Sequence, residues 1–260
     1  DRGRFEITGQ SVSLSSPSTF NDAQELAELV WLGFWERDEF GWSLRIPDAR
    51  FSLPKADLIQ DFRLSGGDGL APTVEWSVGS DSRGMQALDA LALLPLQLGE
   101  SLAEYLHEAV KEGVLDELSM VWRGSLADFP YRAGEGVFQA RASVSQLDFE
   151  FQPDWMPLEA DHAVLQYNNE TLHISADKAT LGGIEATSVR VELPDLLSPK
   201  RWLHINATVS GEASAAHEVF IHSPLADSVG AALEQVVPSG GLAGAFRLSV
   251  PFFPEADFQA

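Results

Sequence analysis

The side chains that could carry chemistry are few and form no recognised catalytic pattern. Two of the six histidines, His217 and His222, lack the i and i+4 spacing of a zinc-binding helix. The sequence has no Gly-x-Ser-x-Gly nucleophile elbow and no dinucleotide fingerprint. Its glycine-rich stretches, 66–69 and 239–244, lack the Lys-Ser/Thr pair that would bind phosphate. The sequence therefore predicts a protein with no enzymatic activity, no cofactor and no metal site.

Composition and charge exclude further classes of function. The formal net charge is −22, from 39 acidic and 17 basic side chains. Binding to nucleic acid needs clustered lysine and arginine that release counterions, and adhesion to an anionic membrane surface needs the same. We therefore expect neither. The absence of cysteine rules out disulfides and suits a reducing compartment or a periplasmic protein that is stable without them.

The chain also lacks a secretory signal and a membrane span. Its most apolar run, 87–98, contains Asp89, Pro95 and Gln97 and falls short of the roughly 20 apolar residues that a spanning helix needs. The sequence starts at Asp1 rather than methionine, and a strand-like segment follows at once. We expect a piece of a longer protein, with any anchor or export signal outside it.

Alternation of apolar and polar residues dominates the sequence and predicts β-strands. Trp42, Leu44 and Ile46 are typical of the pattern, which recurs at short intervals between turn residues. Short connections favour antiparallel strands joined by hairpins. The alternation slips by one residue between Val144 and Leu147, which predicts a β-bulge. Residues 22–32 could instead form a helix.

Two helix-then-strand units interrupt this pattern. In the first, Ser101 begins a helix with a capping box, Gly113 caps its C-terminus and a strand starts at Leu118. Residues 84–98 just before it also have a helical pattern. In the second, a helix predicted over 223–236 precedes a strand at Phe246. The matched order indicates an internal repeat, with chance similarity as the alternative.

These units divide the chain into three predicted segments. Residues 1–98 form a first β-segment that ends in a helical stretch, and 99–222 form a helix followed by a second β-segment. Residues 223–260 form a second helix and the start of a third segment. Each helix would lie at a joint between two segments.

The apolar side of so many strands must be covered. A sandwich of two sheets is one solution. A long sheet curled into a half-pipe, whose apolar face lines a groove, is the other. An empty groove costs ~25 cal/mol for each Å² of apolar surface left in water, so a half-pipe implies an apolar guest.

Three stretches of the sequence resemble the YhdP family, which comprises AsmA-like proteins of Gram-negative bacteria related to TamB. They are Phe40–Leu44, Gly113–Trp122, and 151–184 with its Leu181-Gly182-Gly183-Ile184. The resemblance implies a periplasmic protein tethered to the inner membrane, whose repeated β-segments form a hydrophobic groove. It also implies phospholipid acyl chains and other envelope proteins as partners, and it brings no catalytic residues.

We therefore predict a mainly β fold: a long, curled antiparallel sheet that forms a hydrophobic groove, with two short helical insertions. The predicted function is a segment of a periplasmic conduit that carries phospholipids between the inner and outer membranes. A β-sandwich binding module for glycan or protein, using the seven tryptophans, is one alternative, and a structural spacer is another. The candidate lipid-binding residues that line the groove are Leu118, Met120, Trp122, Phe138, Leu147, Phe149, Phe151, Leu165, Tyr167, Leu172, Ile174, Val189, Val191, Ile205, Phe246 and Leu248.

Overall fold

A computed structural model describes residues 1–15, 23–93, 100–150, 155–196, 198, 201–223, 226 and 238–252. Within these residues the chain forms thirteen strands. They are β1 (Arg2–Leu14), β2 (Gln24–Arg37), β3 (Trp42–Leu53), β4 (Ala56–Gly66), β5 (Thr73–Ser82), β6 (Met85–Gln86), β7 (Val110–Ser125), β8 (Val137–Phe149), β9 (Leu158–Asn168), β10 (Thr171–Leu181), β11 (Ile184–Leu193), β12 (Arg201–Glu212) and β13 (Gly241–Phe252). The described helices are α1 (Ala87–Leu91), α2 (Glu100–Ala109) and α3 (Ala213–Ile221).

The described strands form one antiparallel sheet. They follow the chain order β1-β2-β3-β4-β5-β7-β8-β9-β10-β11-β12-β13, and β6 pairs with β7. The predicted mainly β, antiparallel fold is confirmed. The helical alternative for 22–32 is wrong, because residues 24–32 lie in β2. A sandwich is also excluded for the described strands, because they share a single sheet.

The chain divides into two compact units. Unit 1 comprises Asp1–Met85, Leu115–Ser143 and Gln166–Glu170, and unit 2 comprises Gln86–Val114, Val144–Leu165 and Thr171–Ala260. Each unit is described separately below. The division at 98 and 222 stays a prediction.

Several strands contain a bulge at a residue in the left-handed region. Gln146 in β8 has φ 53°, and Val144 and Leu147 on either side of it are both buried. The predicted bulge at this point is confirmed. Ser188 in β11 has φ 53° at a shift in its pairing with β12. An extra residue at each bulge keeps the apolar side chains before and after it on one face.

The predicted role of Gly113 as a helix cap is wrong. Helix α2 ends at Ala109, β7 begins at Val110, and Gly113 lies inside that strand with an extended φ of 158°. Packing explains the glycine, because a Cβ at this position would lie 2.9 Å from Cγ1 of Val144 and 3.3 Å from Cβ of Ala87. The observed strand β7 begins at Val110, eight residues before the start that the sequence predicted at Leu118.

Helix α3 was not expected from the sequence. It follows β12 directly and packs on the β10–β11 turn, where a Cβ at Gly182 would lie 2.6 Å from Cγ2 of Val219. The helix predicted over 223–236 falls almost wholly outside the described residues, as does the 94–98 part of the other predicted helical stretch. Among the described helices, none has the length and apolar character to cross a membrane.

Candidate functional site

A row of aliphatic side chains crosses four neighbouring strands of unit 2. Pairing between β10, β11, β12 and β13 places Ile174 opposite Val191, Val191 opposite Ile205, and Ile205 opposite Leu248. Directly paired residues of an antiparallel sheet share a face, so the four side chains form one strip. The sequence-predicted residues Ile174, Val191, Ile205 and Leu248 are thus brought together.

The next position along each of these strands is polar and lies on the other face. The pairing aligns Ser175, Arg190, Asn206 and Arg247 in a second row. Because successive side chains of a strand point to opposite faces, the aliphatic row and this row are separated by the sheet. Unit 2 therefore has one apolar and one polar face at this level.

Other predicted residues of unit 2 lie on the same strands or beside helix α2. Leu172 pairs with Leu193, Val189 with Ala176, and Phe246 with Ala207. Leu147 and Phe149 are buried in β8, and Leu165 is half-buried in β9. The ring of Phe149 meets that of Tyr105 in α2 edge to face at 6.1 Å, and burial raises the pKa of the Tyr105 phenol. The predicted residue Phe151 lies outside the described residues.

Unit 1 contains a cluster of aromatic rings on one face of its strands. Phe62 and Trp76 meet edge to face at 5.9 Å, and Trp76 pairs directly with Trp122. The Phe138 ring lies 5.3 Å from Trp122 and 5.5 Å from Tyr167. The structure thus joins the predicted residues Trp122, Phe138 and Tyr167 in one aromatic cluster. Leu118 and Met120 alternate with Ser119 on β7 and are half-buried on the Trp122 side.

The loop between β7 and β8, residues 126–136, covers part of this cluster. Trp122 Nε1 donates a hydrogen bond of 2.7 Å to the Tyr131 hydroxyl. The Phe129 ring lies 5.7 Å from Trp122 and 5.9 Å from Phe138. Phe138 is only 1% exposed. In the described arrangement it therefore packs against other side chains of the chain itself.

Sequence reasoning missed two kinds of residue in this cluster. Phe62 and Trp76 lie on alternating strand positions, so the period-two pattern could have included them. Phe129 and Tyr131 lie in a loop without periodicity, and no signal in the sequence places them over Trp122. Among the described residues, no three metal-binding side chains come together.

Tyr167 carries a buried hydroxyl that has no hydrogen-bond partner within the described part of the chain. Burial raises the pKa of this phenol, and the Glu170 carboxylate raises it further. Burial also raises the pKa of Tyr131, against the lowering effect of the hydrogen bond from Trp122. The two tyrosines of this cluster therefore differ: the hydroxyl of Tyr131 accepts a hydrogen bond and that of Tyr167 does not take part in one within the described residues.

We expect opposite effects from removing these two hydroxyls. Tyr167→Phe should raise the free energy of unfolding at pH 7 by about 1 kcal/mol, because an unpaired buried polar group is lost. Tyr131→Phe should lower it by about 1–2 kcal/mol, because the indole nitrogen of Trp122 loses its acceptor. Urea unfolding followed by tryptophan fluorescence measures both. Equal destabilisation by the two variants would contradict the assignment.

The same phenols predict a loss of stability in alkali. Below the pKa of about 10 that tyrosine has in the unfolded chain, both states keep the phenol proton and the free energy of unfolding does not change with pH. Above it the unfolded state loses the proton first, because the pKa is higher in the folded state, and the free energy of unfolding falls. Tyr167→Phe should therefore make the decline between about pH 10 and 11 shallower. Unfolding curves across this range, compared with wild type, test the direction.

The chain is similar to known proteins of one family. A family model described as "YhdP protein" matches residues 1–258. The chain is 32% identical over 154 residues to a curated relative, the intermembrane phospholipid transporter YhdP of Escherichia coli (strain K12). That match covers 59% of this chain and 12% of the relative, so the chain spans a small part of the relative's length. No solved structure matches the chain.

Proposed function

Since the chain belongs to the YhdP family, we propose that it forms a segment of a hydrophobic conduit that carries phospholipids between the inner and outer membranes. The matched relative is named as an intermembrane phospholipid transporter, which supports this class of cargo. The proposal places the segment in the periplasm, with a tether to the inner membrane contributed by another part of the protein. It assigns lipid contact and no catalytic chemistry to the chain.

The aliphatic row of unit 2 carries the proposal. Its four strands span three intervals of about 4.8 Å, so the strip is about 14 Å long and runs across the strands. An acyl chain laid on this strip would gain about 0.8 kcal/mol for each methylene removed from water. Five methylenes would gain about 4 kcal/mol, enough to hold a chain without fixing it in place.

Partial exposure distinguishes the residues that we place in contact with lipid. Val191 and Leu248 are half-buried, so each side chain retains surface on the apolar face. The remaining predicted lining residues are proposed as contacts or as support for those contacts. Phe138 belongs to the supporting group, because its own neighbours already bury it.

Site-specific photo-crosslinking tests the proposal. A benzophenone amino acid at Val191 should capture phospholipid from vesicles of phosphatidylethanolamine and phosphatidylglycerol, because this position lies in the aliphatic row. The matched control carries the same amino acid at Arg190, one position away on the other face. Intact-protein mass spectrometry would count the adducts, and circular dichroism would confirm that both variants fold. At least about a fivefold excess at Val191 is expected, and equal capture at the two positions would refute the proposal.

A further inference from the structure

Five arginines surround a cavity of 1030 Å³ on the polar face of unit 1. They come from four strands: β1, β3, β4 and β7. The arginines that line the cavity are Arg2, Arg4, Arg45, Arg63 and Arg123. We call this feature the arginine cavity.

Strand pairing explains why these side chains meet. One row runs directly across six strands, each member opposite the next. Its members are Arg4, Phe34, Arg45, Arg63, Glu75 and Arg123. The aromatic row that contains Trp76 and Trp122 lies one position away on each strand and so occupies the other face. Phe62, Trp76 and Trp122 of the aromatic cluster also contribute to the lining of the arginine cavity, so the two features share strands β4, β5 and β7.

The charges of the cavity are not balanced. Three carboxylates line it, those of Glu36, Asp61 and Glu75, against five guanidinium groups. Glu75 is shared between Arg63 at 3.8 Å and Arg123 at 4.0 Å, and both distances exceed a hydrogen bond. An excess of positive charge is unexpected in a chain with a formal net charge of −22.

The excess of positive charge is concentrated at Arg45. It lies directly opposite Arg63, and like charges in directly opposed positions destabilise a sheet. Within the described residues, neither Arg45 nor Arg2 has an ion pair that would offset this repulsion. A bound anion between Arg45 and Arg63 would remove it, and the side chain of Arg63 is 53% exposed and free to turn towards such a ligand.

We propose that the arginine cavity binds a phosphate group, carried either by a lipid head group or by free inorganic phosphate. Guanidinium groups match the oxygens of phosphate in two-point hydrogen bonds, which makes arginine the fitting donor. Phe34 and Val121, 40% and 44% exposed, add apolar surface beside the charges. The volume lies just above the usual ~300–1,000 Å³ for small-ligand sites, so a small ligand would fill only part of it. The acidic remainder of the chain repels long polyanions, so a single phosphate group fits best.

Calorimetric titration of the 260-residue chain tests this site with two probes. One is inorganic phosphate, and the other is dihexanoyl phosphatidylglycerol below its micelle concentration. Arg45→Gln combined with Arg63→Gln should weaken the binding of the preferred probe at least about tenfold, because both halves of the opposed pair are lost. Arg50→Gln, on the same strand but outside the cavity lining, is the matched control and should leave the affinity within about twofold of wild type.

Each outcome has a defined meaning. Tighter binding of the phosphatidylglycerol identifies a head-group site, and equal binding of both probes identifies a site for phosphate alone. The double variant should also keep or raise the thermal midpoint of the unliganded protein, because it removes opposed like charges. No binding of either probe, or an equal loss in Arg50→Gln, overturns the proposal. A failure here leaves the crosslinking result at Val191 unaffected, because the two sites lie in different units.

Discussion

Replacing Phe138 with alanine is expected to lower the free energy of unfolding by about 3–5 kcal/mol, the range for an aromatic side chain removed from a core. The ring is 1% exposed and contacts the rings of Trp122, Phe129 and Tyr167. Its loss would leave a cavity that these rings cannot fill without leaving their edge-to-face contacts. Urea unfolding monitored by tryptophan fluorescence measures the change, since Trp122 reports on the same cluster.

The neighbouring residue provides the control for this variant. Val137 is 36% exposed and precedes Phe138 on β8, so Val137→Ala changes the same strand on its other side. We expect Val137→Ala to cost less than about 1 kcal/mol. A cost below about 1.5 kcal/mol for Phe138→Ala would show that the cluster does not form the core of unit 1.

Replacing Leu248 with aspartate is expected to remove bound phospholipid while leaving the chain folded. Leu248 ends the aliphatic row at β13, where it is half-buried, so a carboxylate could reach water without unfolding the sheet. A lipid chain would then have to cover a charge, and a penalty of even 2 kcal/mol lowers affinity about thirtyfold. Mass spectrometry of lipid retained per protein, after exposure to phospholipid vesicles, measures the loss.

Ser249→Asp is the matched control for Leu248→Asp. It adds the same charge one position away, on the polar face, where Ser249 meets Nδ1 of His204 at 2.9 Å. Lipid retention by Ser249→Asp should stay within about twofold of wild type, since a charge on that face remains in water. Equal loss in both variants, or none in Leu248→Asp, would exclude lipid contact along this row and favour a structural spacer.

Local patterns in the sequence predicted the sheet and much of its apolar face. Alternation alone placed Ile174, Val191, Ile205 and Leu248 on strands, and the structure sets them side by side. The signal is reliable here because a side chain on the wrong face would either expose apolar surface or bury a polar group. Even the slip at Gln146 was visible, since a bulge changes the phase of the pattern.

The features that the sequence did not predict depend on contacts between distant residues, which a local pattern does not encode. Gly113 looked like a helix cap because it follows an apolar helical stripe, yet Val144 and Ala87 determine its size from distant positions. Tyr131 is placed over Trp122 by an irregular loop. The opposition of Arg45 and Arg63 requires the exact pairing of β3 with β4, which alternation leaves undetermined. Tertiary packing and strand pairing thus decide what the periodic signal cannot.

The bulges have a consequence for how this sequence can change. Each bulge shifts the alternation of inward-facing and outward-facing side chains by one residue. The inward-facing positions before the bulge and those after it therefore differ in whether their residue numbers are odd or even. Deleting Gln146 or Ser188 would remove the extra residue and leave a regular alternation with the same side chains facing inward, whereas a one-residue deletion elsewhere in the strand would turn the residues beyond it to the other face. The bulge residue is therefore the position at which each of these strands can lose one residue without exposing its apolar side chains.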